Sequence, residues 1–247
     1  MWRSAPLHRP TRLPPPPNLW RSAPLRSLVN MRVVIAGGHG KIALLLEKRL
    51  AANGDQAVGI VRNSDHIDDL RAVSAEPAVL DLEDATVDEV ASVLEGADAA
   101  VFAAGAGPGS GAPRKETVDR DAAVLFADAA ERAGVRRFVQ ISAMGTDGPI
   151  DADAVGEVFA AYLRAKAAAE DDLRARDLDW TILRPGGLTD DPATGMVQLA
   201  EDVPRGSVPR DDVAAVVVAL LSDDVAFRST VELTSGNTPI AEAVSRL

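Results

Sequence analysis

The segment Met31-Arg-Val-Val-Ile-Ala-Gly-Gly-His-Gly-Lys-Ile-Ala-Leu-Leu-Leu46 constrains the fold more than any other stretch of the chain. Its apolar run stops at Gly37, glycines follow at 37, 38 and 40, and an amphipathic run starts at Ile42. That pattern is a buried strand, a tight turn and a helix start in immediate succession. Such a turn aims backbone N–H groups and the positive end of a helix dipole at one point, which suits a phosphate. Two registers fit a dinucleotide turn: Gly38-x-Gly40-x-x-Ala43 and Gly37-x-x-Gly40-x-x-Ala43. Glycine allows the tight turn and close approach to a pyrophosphate, and Ala43 lets the helix pack near its strand. A glycine-rich turn without a ligand is the alternative. The position at the first strand of a repeating pattern favours the dinucleotide.

That pattern continues to the end of the chain. Strands are expected at 32–36, 57–61, 78–80, 99–103, 137–142, 180–183 and 230–233. Helices are expected between them at 41–53, 65–73, 86–94, 117–133, 155–175 and 210–221. Short apolar runs separated by helices predict an α/β protein with a doubly wound, parallel sheet of the Rossmann type. Residues 31–247 read as one domain, with 185–247 contributing a small substrate side. Within that part, the Pro- and Gly-rich stretch 185–209 is placed as a lid or substrate wall, beyond the carboxyl ends of the strands.

Residues 1–30 read differently. They hold five arginines, no acid and the run Pro14 to Pro17, and they repeat Trp-Arg-Ser-Ala-Pro-Leu at 2–7 and 20–25. Such a segment cannot build a core and is expected to be disordered. It reads as a targeting peptide or, preferably, as an upstream extension with Met31 opening the domain; without an apolar h-region it does not read as a secretory signal. The extension contributes +5 to an overall charge of −11, leaving −16 on residues 31–247. So acidic a domain repels nucleic acid and anionic membranes. The chain has no cysteine, and its histidines, at 8, 39 and 66, form no cluster in sequence. Thiol chemistry is excluded and no metal is expected.

The second strand chooses between nucleotides. An NAD-type site wants an acid at its end for the ribose hydroxyls. Here the strand runs into Arg62-Asn63-Ser64. An arginine beside small polar groups suits a 2′-phosphate, so NADP(H) is expected over NAD(H), with Lys41 adding positive charge. Arg62 as a solvated loop charge is the alternative. Asp81, followed by Leu82, is placed either to accept from the adenine amino group or to cap a turn. The small residues Ala103, Ala104 and Gly105 allow the backbone to approach the cofactor. The expected cofactor set is Gly37, Gly38, His39, Gly40, Lys41, Ile42, Arg62, Asn63, Asp81, Leu82, Ala103, Ala104 and Gly105.

Tyr162 is the sole tyrosine, and Lys166, one of four lysines, lies four residues later. On a helix that spacing puts both on one face. A nearby ammonium favours the phenolate and lowers the tyrosine pKa, and a phenol so tuned exchanges the proton that accompanies hydride transfer. An incidental aromatic beside a solvated lysine is the alternative.

Several motifs together resemble the atypical short-chain dehydrogenase/reductases, including NmrA-like and NAD-dependent epimerase/dehydratase-like members. They are Gly37-Gly-His-Gly-Lys-Ile-Ala43, Val118-Asp-Arg-Asp121, Arg137-Phe-Val-Gln-Ile-Ser-Ala-Met144, Tyr162-Leu-Arg-Ala-Lys166, Thr181-Ile-Leu-Arg-Pro-Gly186 and Pro209-Arg-Asp-Asp-Val213. The resemblance covers residues 31–247. It implies a Rossmann sheet, NADP binding and a Ser–Tyr–Lys set, with Lys166 also on the nicotinamide ribose and Pro185 and Gly186 bordering the nicotinamide. The sequence departs from the family in three places. Asp119 stands where an asparagine is usual, and Met144 stands where the catalytic serine is usual, leaving Ser142 or Thr146 as substitutes. Little chain follows Leu183, which weakens a sugar-nucleotide epimerase. Asp212 reads as a helix N-cap.

These readings converge on an NADP(H)-dependent oxidoreductase for a small carbonyl or quinone-like substrate, with catalytic Tyr162, Lys166, Ser142 and Asp119. Met144 keeps open a non-catalytic redox sensor, and the resemblance keeps open an NAD(P)-dependent epimerase or dehydratase. A cytoplasmic monomer or homodimer is expected, with a small-molecule substrate and neither nucleic acid nor membrane as partner.

Overall fold

A computed structural model describes residues 30–107, 109–222 and 225–247. The expectation for residues 1–29 of the extension lies outside them.

The first βαβ unit forms where the glycines predict it. Strand β1 (Arg32–Ala36) alternates, sending Val33 and Ile35 to one face of the sheet and Val34 and Ala36 to the other. That is the two-residue period of a strand buried on both sides. Helix α1 (Lys41–Ala52) buries Ala43, Leu46 and Leu50, a helical spacing, and packs on the Val33–Ile35 face. Strand β2 (Gln56–Val61) then pairs parallel to β1.

The remaining units repeat the scheme. A 3-10 turn (Ser64–His66) and α2 (Ile67–Ala72) lead to β3 (Glu76–Val79), and α3 (Val87–Leu94) to β4 (Ala99–Phe102). Thr86 and Glu89 close a capping box on α3, satisfying two backbone donors at its start. After β4 come α4 (Ala112–Arg114), a π-helical segment (Lys115–Asp121) and α5 (Ala122–Ala133). Strand β5 (Arg137–Ile141), α6 (Ala152–Val155), α7 (Glu157–Arg174) and β6 (Asp179–Pro185) follow. The last part holds β7 (Gly187–Thr189), β8 (Met196–Ala200), β9 (Ser207–Pro209), α8 (Arg210–Ser222), β10 (Ser229–Ser235), β11 (Thr238–Pro239) and α9 (Ile240–Val244).

The main sheet runs β11-β8-β10-β6-β5-β4-β1-β2-β3. Strands β1 to β6 and β10 pair in parallel, whereas β8 is antiparallel to β10 and to β11. Helices α1 and α8 cover one face, and α3, α5 and α7 the other. The order reverses between β1 and β4, the switch point at which such sheets bind ligands. None of the described helices is long and apolar enough to cross a membrane.

The doubly wound sheet agrees with the sequence, and three details differ. The stretch 185–209 is not simply a lid. It contains β7, β8 and β9, because Met196-Val-Gln-Leu-Ala200 has enough apolar alternation to pair with β10. The expected helix at 155–175 starts two residues later, because Gly156 at φ +87° breaks it from α6. Asp212 is not an N-cap, since α8 begins at Arg210. Fully buried, its carboxylate accepts from Thr194 N and Oγ1 and from Gly195 N, pinning the chain ahead of β8.

Candidate functional site

Two cavities open at the carboxyl ends of the strands, and Ala103, Ala104, Gly105 and Ala106 line both. The smaller, about 290 Å³, runs along the glycine turn and the ends of β2 and β3. The larger, about 840 Å³, lies between the 103–110 loop, the π-helical segment and α7.

The smaller cavity has the shape of a phosphate cradle. Gly37 sits at φ +79°, and a Cβ there would lie 2.6 Å from Ala104 Cα. A Cβ on Gly38 would lie 2.7 Å from Gly59 Cα. The two strand ends therefore touch backbone to backbone, which only glycine permits. Gly40 occupies the N-cap of α1, and no side chain caps the helix. The first-turn N–H groups have no intrahelical acceptor, and uncapped donors at a helix start are what a phosphate takes. The residues present fit a dinucleotide.

At the far end of this cavity, Arg62, Arg114 and Glu83 gather. Glu83 accepts from Arg114 at 2.6 Å, Thr117 at 2.7 Å and Arg62 at 3.5 Å. The Arg114 hydrogen bond, helped by Thr117, holds its carboxyl below the usual glutamate range. His39 and His66 stack beside them, ring centroids 3.6 Å apart, and His39 meets Asp69 at 2.8 Å. Asp81 and Leu82 line the cavity, and Asp81 also accepts from Glu83 N, so it does cap a turn.

Some expected cofactor residues stand elsewhere. Lys41 lines neither cavity; its ammonium pairs with Asp190 at 2.5 Å on the surface. Asn63 caps the 3-10 turn by accepting from Asp65 N. Pro185 and Gly186 line neither cavity: Pro185 O accepts from Met144 N, and Gly186 N donates to Leu233 O. Ile42 lines the larger cavity.

Tyr162, Lys166, Ser142 and Asp119 come together on the wall of the larger cavity. Helix α7 supplies Tyr162 and Lys166 one turn apart, β5 ends just before Ser142, and the π-helical segment carries Asp119. The expected helix 117–133 begins with this π segment, a distortion that recurs at functional sites. Lys166 is buried. Its ammonium donates to Ile141 O at 3.2 Å and Ala104 O at 3.5 Å and pairs with Asp119 at 3.4 Å. Burial pushes its pKa down and Asp119 opposes the shift.

Two parts of the chemistry differ from expectation. Tyr162 is not tuned toward phenolate. Burial, then the charges of Asp119 and Glu170, push its phenol above its ordinary range, although Lys166 lies 5.9 Å from the ring centroid. Ser142 is not free to polarise a substrate in this state. Its hydroxyl donates to buried Glu170 at 2.5 Å, and Thr146, the other substitute, donates to the same oxygen at 3.1 Å.

Glu170 was not among the predicted residues. It continues the spacing of Tyr162 and Lys166 by one more turn, a signal that was available. Its oxygens also accept from Arg184 at 3.0 and 2.5 Å and from Arg174 at 2.9 Å, and Arg184 reaches on to Asp147. Glu47 was missed as well. It is buried under the glycine turn with no partner among the described residues for either carboxylate oxygen, and burial pushes its pKa from 4.5 to about 8.

Residues 37–224 match the NAD(P)H-binding family. A Bacillus subtilis protein named as an uncharacterized sugar epimerase, YhfK, is 36% identical over 88% of this chain and all of its own length. Among solved structures, a Bacillus halodurans protein named for the NAD-dependent epimerases/dehydratases is 35% identical. It superposes with a TM-score of 0.81 over 88% of this chain and all of its own. The oxidoreductase YlbE of Lactococcus lactis is 28% identical, with a TM-score of 0.77 over 88% of this chain and 96% of its own. The glycine cradle, the switch-point cleft and these likenesses agree: the chain belongs to the NAD(P)H-binding family of Rossmann-fold proteins, with oxidoreductases and epimerases as its relatives.

Proposed function

We propose that the protein is an NADPH-dependent reductase of a small carbonyl or quinone-like compound. The observation that carries this is the Tyr162–Lys166 pair, on the wall of a cavity that meets the dinucleotide cleft along residues 103–106. When bound, the dinucleotide would supply a hydride for an electrophilic substrate carbon. Tyr162 then gives its phenolic proton to the substrate oxygen, replenished from solvent. The phenol is protonated in the free protein, and its place beside Lys166 on the cavity wall is what recommends it as the proton donor. Lys166 would stabilise charge on the phenolate and, by exchanging its 3.5 Å hydrogen bond to Ala104 O, would hold the nicotinamide ribose.

Preference for NADPH over NADH rests on Arg62, Arg114, His39 and His66 around the smaller cavity, a donor set suited to a 2′-phosphate. The same reading has a small-molecule substrate, no nucleic-acid or membrane partner, and a monomer or homodimer in the cytoplasm.

Tyr162→Phe keeps the ring and removes the proton. We expect it to lower turnover by about 10²–10⁴-fold and to leave NADPH binding unchanged, measured by nucleotide fluorescence and acceptor-dependent oxidation of NADPH. Full turnover in the variant overturns the assignment.

A second reading has its own observation. Met144 occupies the usual serine position, and Ser142 is engaged by Glu170, which suits a redox sensor without catalysis. Partner capture that depends on NADP⁺ versus NADPH, in a protein without turnover, supports that reading. An epimerase or dehydratase, the class named in two relatives, is marked instead by dinucleotide that co-purifies and is not consumed.

A further inference from the structure

We propose that the larger cavity takes a flat, apolar substrate bearing an acidic group, and that Lys115 reads the acid. This deepens the reductase reading and rests on its assignment of the cavity to the substrate.

The first support is charge. Residues 31–247 carry −16 and hold four lysines, of which two, Lys115 and Lys166, line this one cavity. Lys166 is answered by Asp119. Lys115 is almost as deeply buried, and no carboxylate among the described residues forms a salt bridge with it. Its ammonium donates to Gly107 O at 3.0 Å and lies 5.4 Å from the centroid of the Tyr162 ring. Of the carboxylates lining the cavity, Asp119 is engaged with Lys166 and Glu157 is exposed. A buried ammonium with one neutral acceptor has unused donors and an unmatched charge, a costly arrangement that an incoming anion relieves. The pyrophosphate does not do so, because the glycine turn lines the other cavity and Lys115 does not.

The second support is shape and polarity. Seven large apolar side chains of the described residues are exposed, and four of them, Val155, Val158, Phe159 and Leu188, line this cavity. Phe159 stacks on Tyr162 with ring centroids 5.6 Å apart and an interplanar angle of 30°. An apolar wall ending in a stacked aromatic pair suits a conjugated ring system, with the acid directed to Lys115 and the reducible group to Tyr162.

The test uses the full chain with NADP⁺ saturating the nucleotide cleft, and two fluorescent probes. Anilinonaphthalene sulfonate is flat, apolar and anionic; N-phenylnaphthylamine has the same rings and no charge. We expect the wild type to prefer the sulfonate. Lys115→Met is expected to weaken the sulfonate by about tenfold and leave the neutral probe unchanged. Lys115→Arg retains the preference, and Phe159→Ala weakens both probes. If Lys115→Met does not fold, Lys115→Gln removes the charge while keeping a donor for Gly107 O. Equal effects of the Lys115 change on both probes overturn the proposal, as does indifference of both probes to Phe159→Ala. The two readings fail separately. A protein that turns over no acceptor but keeps the probe contrast loses the reductase and keeps this subsite; a protein that turns over without the contrast does the reverse.

Discussion

At the glycine turn there is no room for a side chain. Backbone meets backbone, with 2.6 Å from a Gly37 Cβ to Ala104 Cα, and position is set by sterics. Across the 103–106 loop, the wall formed by α7 is held by charge. Glu170 gathers Ser142, Thr146, Arg174 and Arg184 around two oxygens, and Lys166 hangs from Asp119 and two carbonyls. On the function proposed above, the difference follows from the tasks. A pyrophosphate needs backbone N–H groups presented without obstruction. A proton donor needs a fixed orientation and a controlled charge, and buried ionic networks supply both while leaving the region sensitive to loss of any member.

The contrast breaks first at Glu170. Glu170→Ala leaves the buried Arg184 guanidinium with the exposed Asp147 as its carboxylate and strips Ser142 and Thr146 of their shared acceptor, and we expect a loss of about 3 kcal/mol in urea unfolding. A loss under ~1 kcal/mol would show that the network contributes little to holding this wall.

Glu47 sharpens the contrast from the other side, since it is a buried acid that no cation among the described residues answers. Its folded pKa, about 8, lies above the ordinary 4.5, so the folded state binds more protons between those values. Stability linked to the neutral carboxyl is complete below pH 4.5 and is lost as pH rises through 8. Glu47→Gln is expected to remove that decline, gaining about 5 kcal/mol at pH 9 and under about 1 kcal/mol at pH 5. Parallel urea midpoints for the two proteins across this range would show that the acid is not held in an apolar setting.

Gly37→Ala tests the steric side. At φ +79° and with Ala104 in the way, the added methyl should cost about 2 kcal/mol, read as roughly 30-fold weaker NADPH binding or as lost stability. Unchanged binding and stability would mean that the turn yields readily. The smallest effect belongs to Arg62, which is half-exposed and already shared with Glu83. Arg62→Ala should weaken NADPH by about tenfold and leave NADH unchanged, measured by fluorescence titration. Equal weakening of both nucleotides would remove Arg62 from the 2′-phosphate.

These residues also mark where sequence was legible. Gly37, Gly38, Gly40 and the Tyr162–Lys166 pair are local signals: neighbours in sequence are neighbours in space. The same is true of Val33 to Ala36, whose unbroken apolar run reports a strand covered on both sides. Strand β8 escaped notice because its turn residues outweighed a short apolar alternation, and its pairing with β10 spans more than thirty residues. Glu170 and Glu47 carried periodic signals on α7 and α1. The partner of Glu170 and the burial of Glu47 depend on other elements, through Arg184 and Gly59.

By itself, the sequence determined the doubly wound sheet, the glycine turn at its switch point, and a tyrosine and lysine on one helix face. Each follows from backbone sterics or from a two- or 3.6-residue period acting over a few residues. Only the tertiary structure decided which charges meet. Neither Lys115 without a carboxylate, nor Ser142 engaged by Glu170, nor a Tyr162 phenol raised rather than lowered follows from local spacing. Desolvation and Coulomb interactions depend on all that packs around a group, and that is settled only when distant segments fold together.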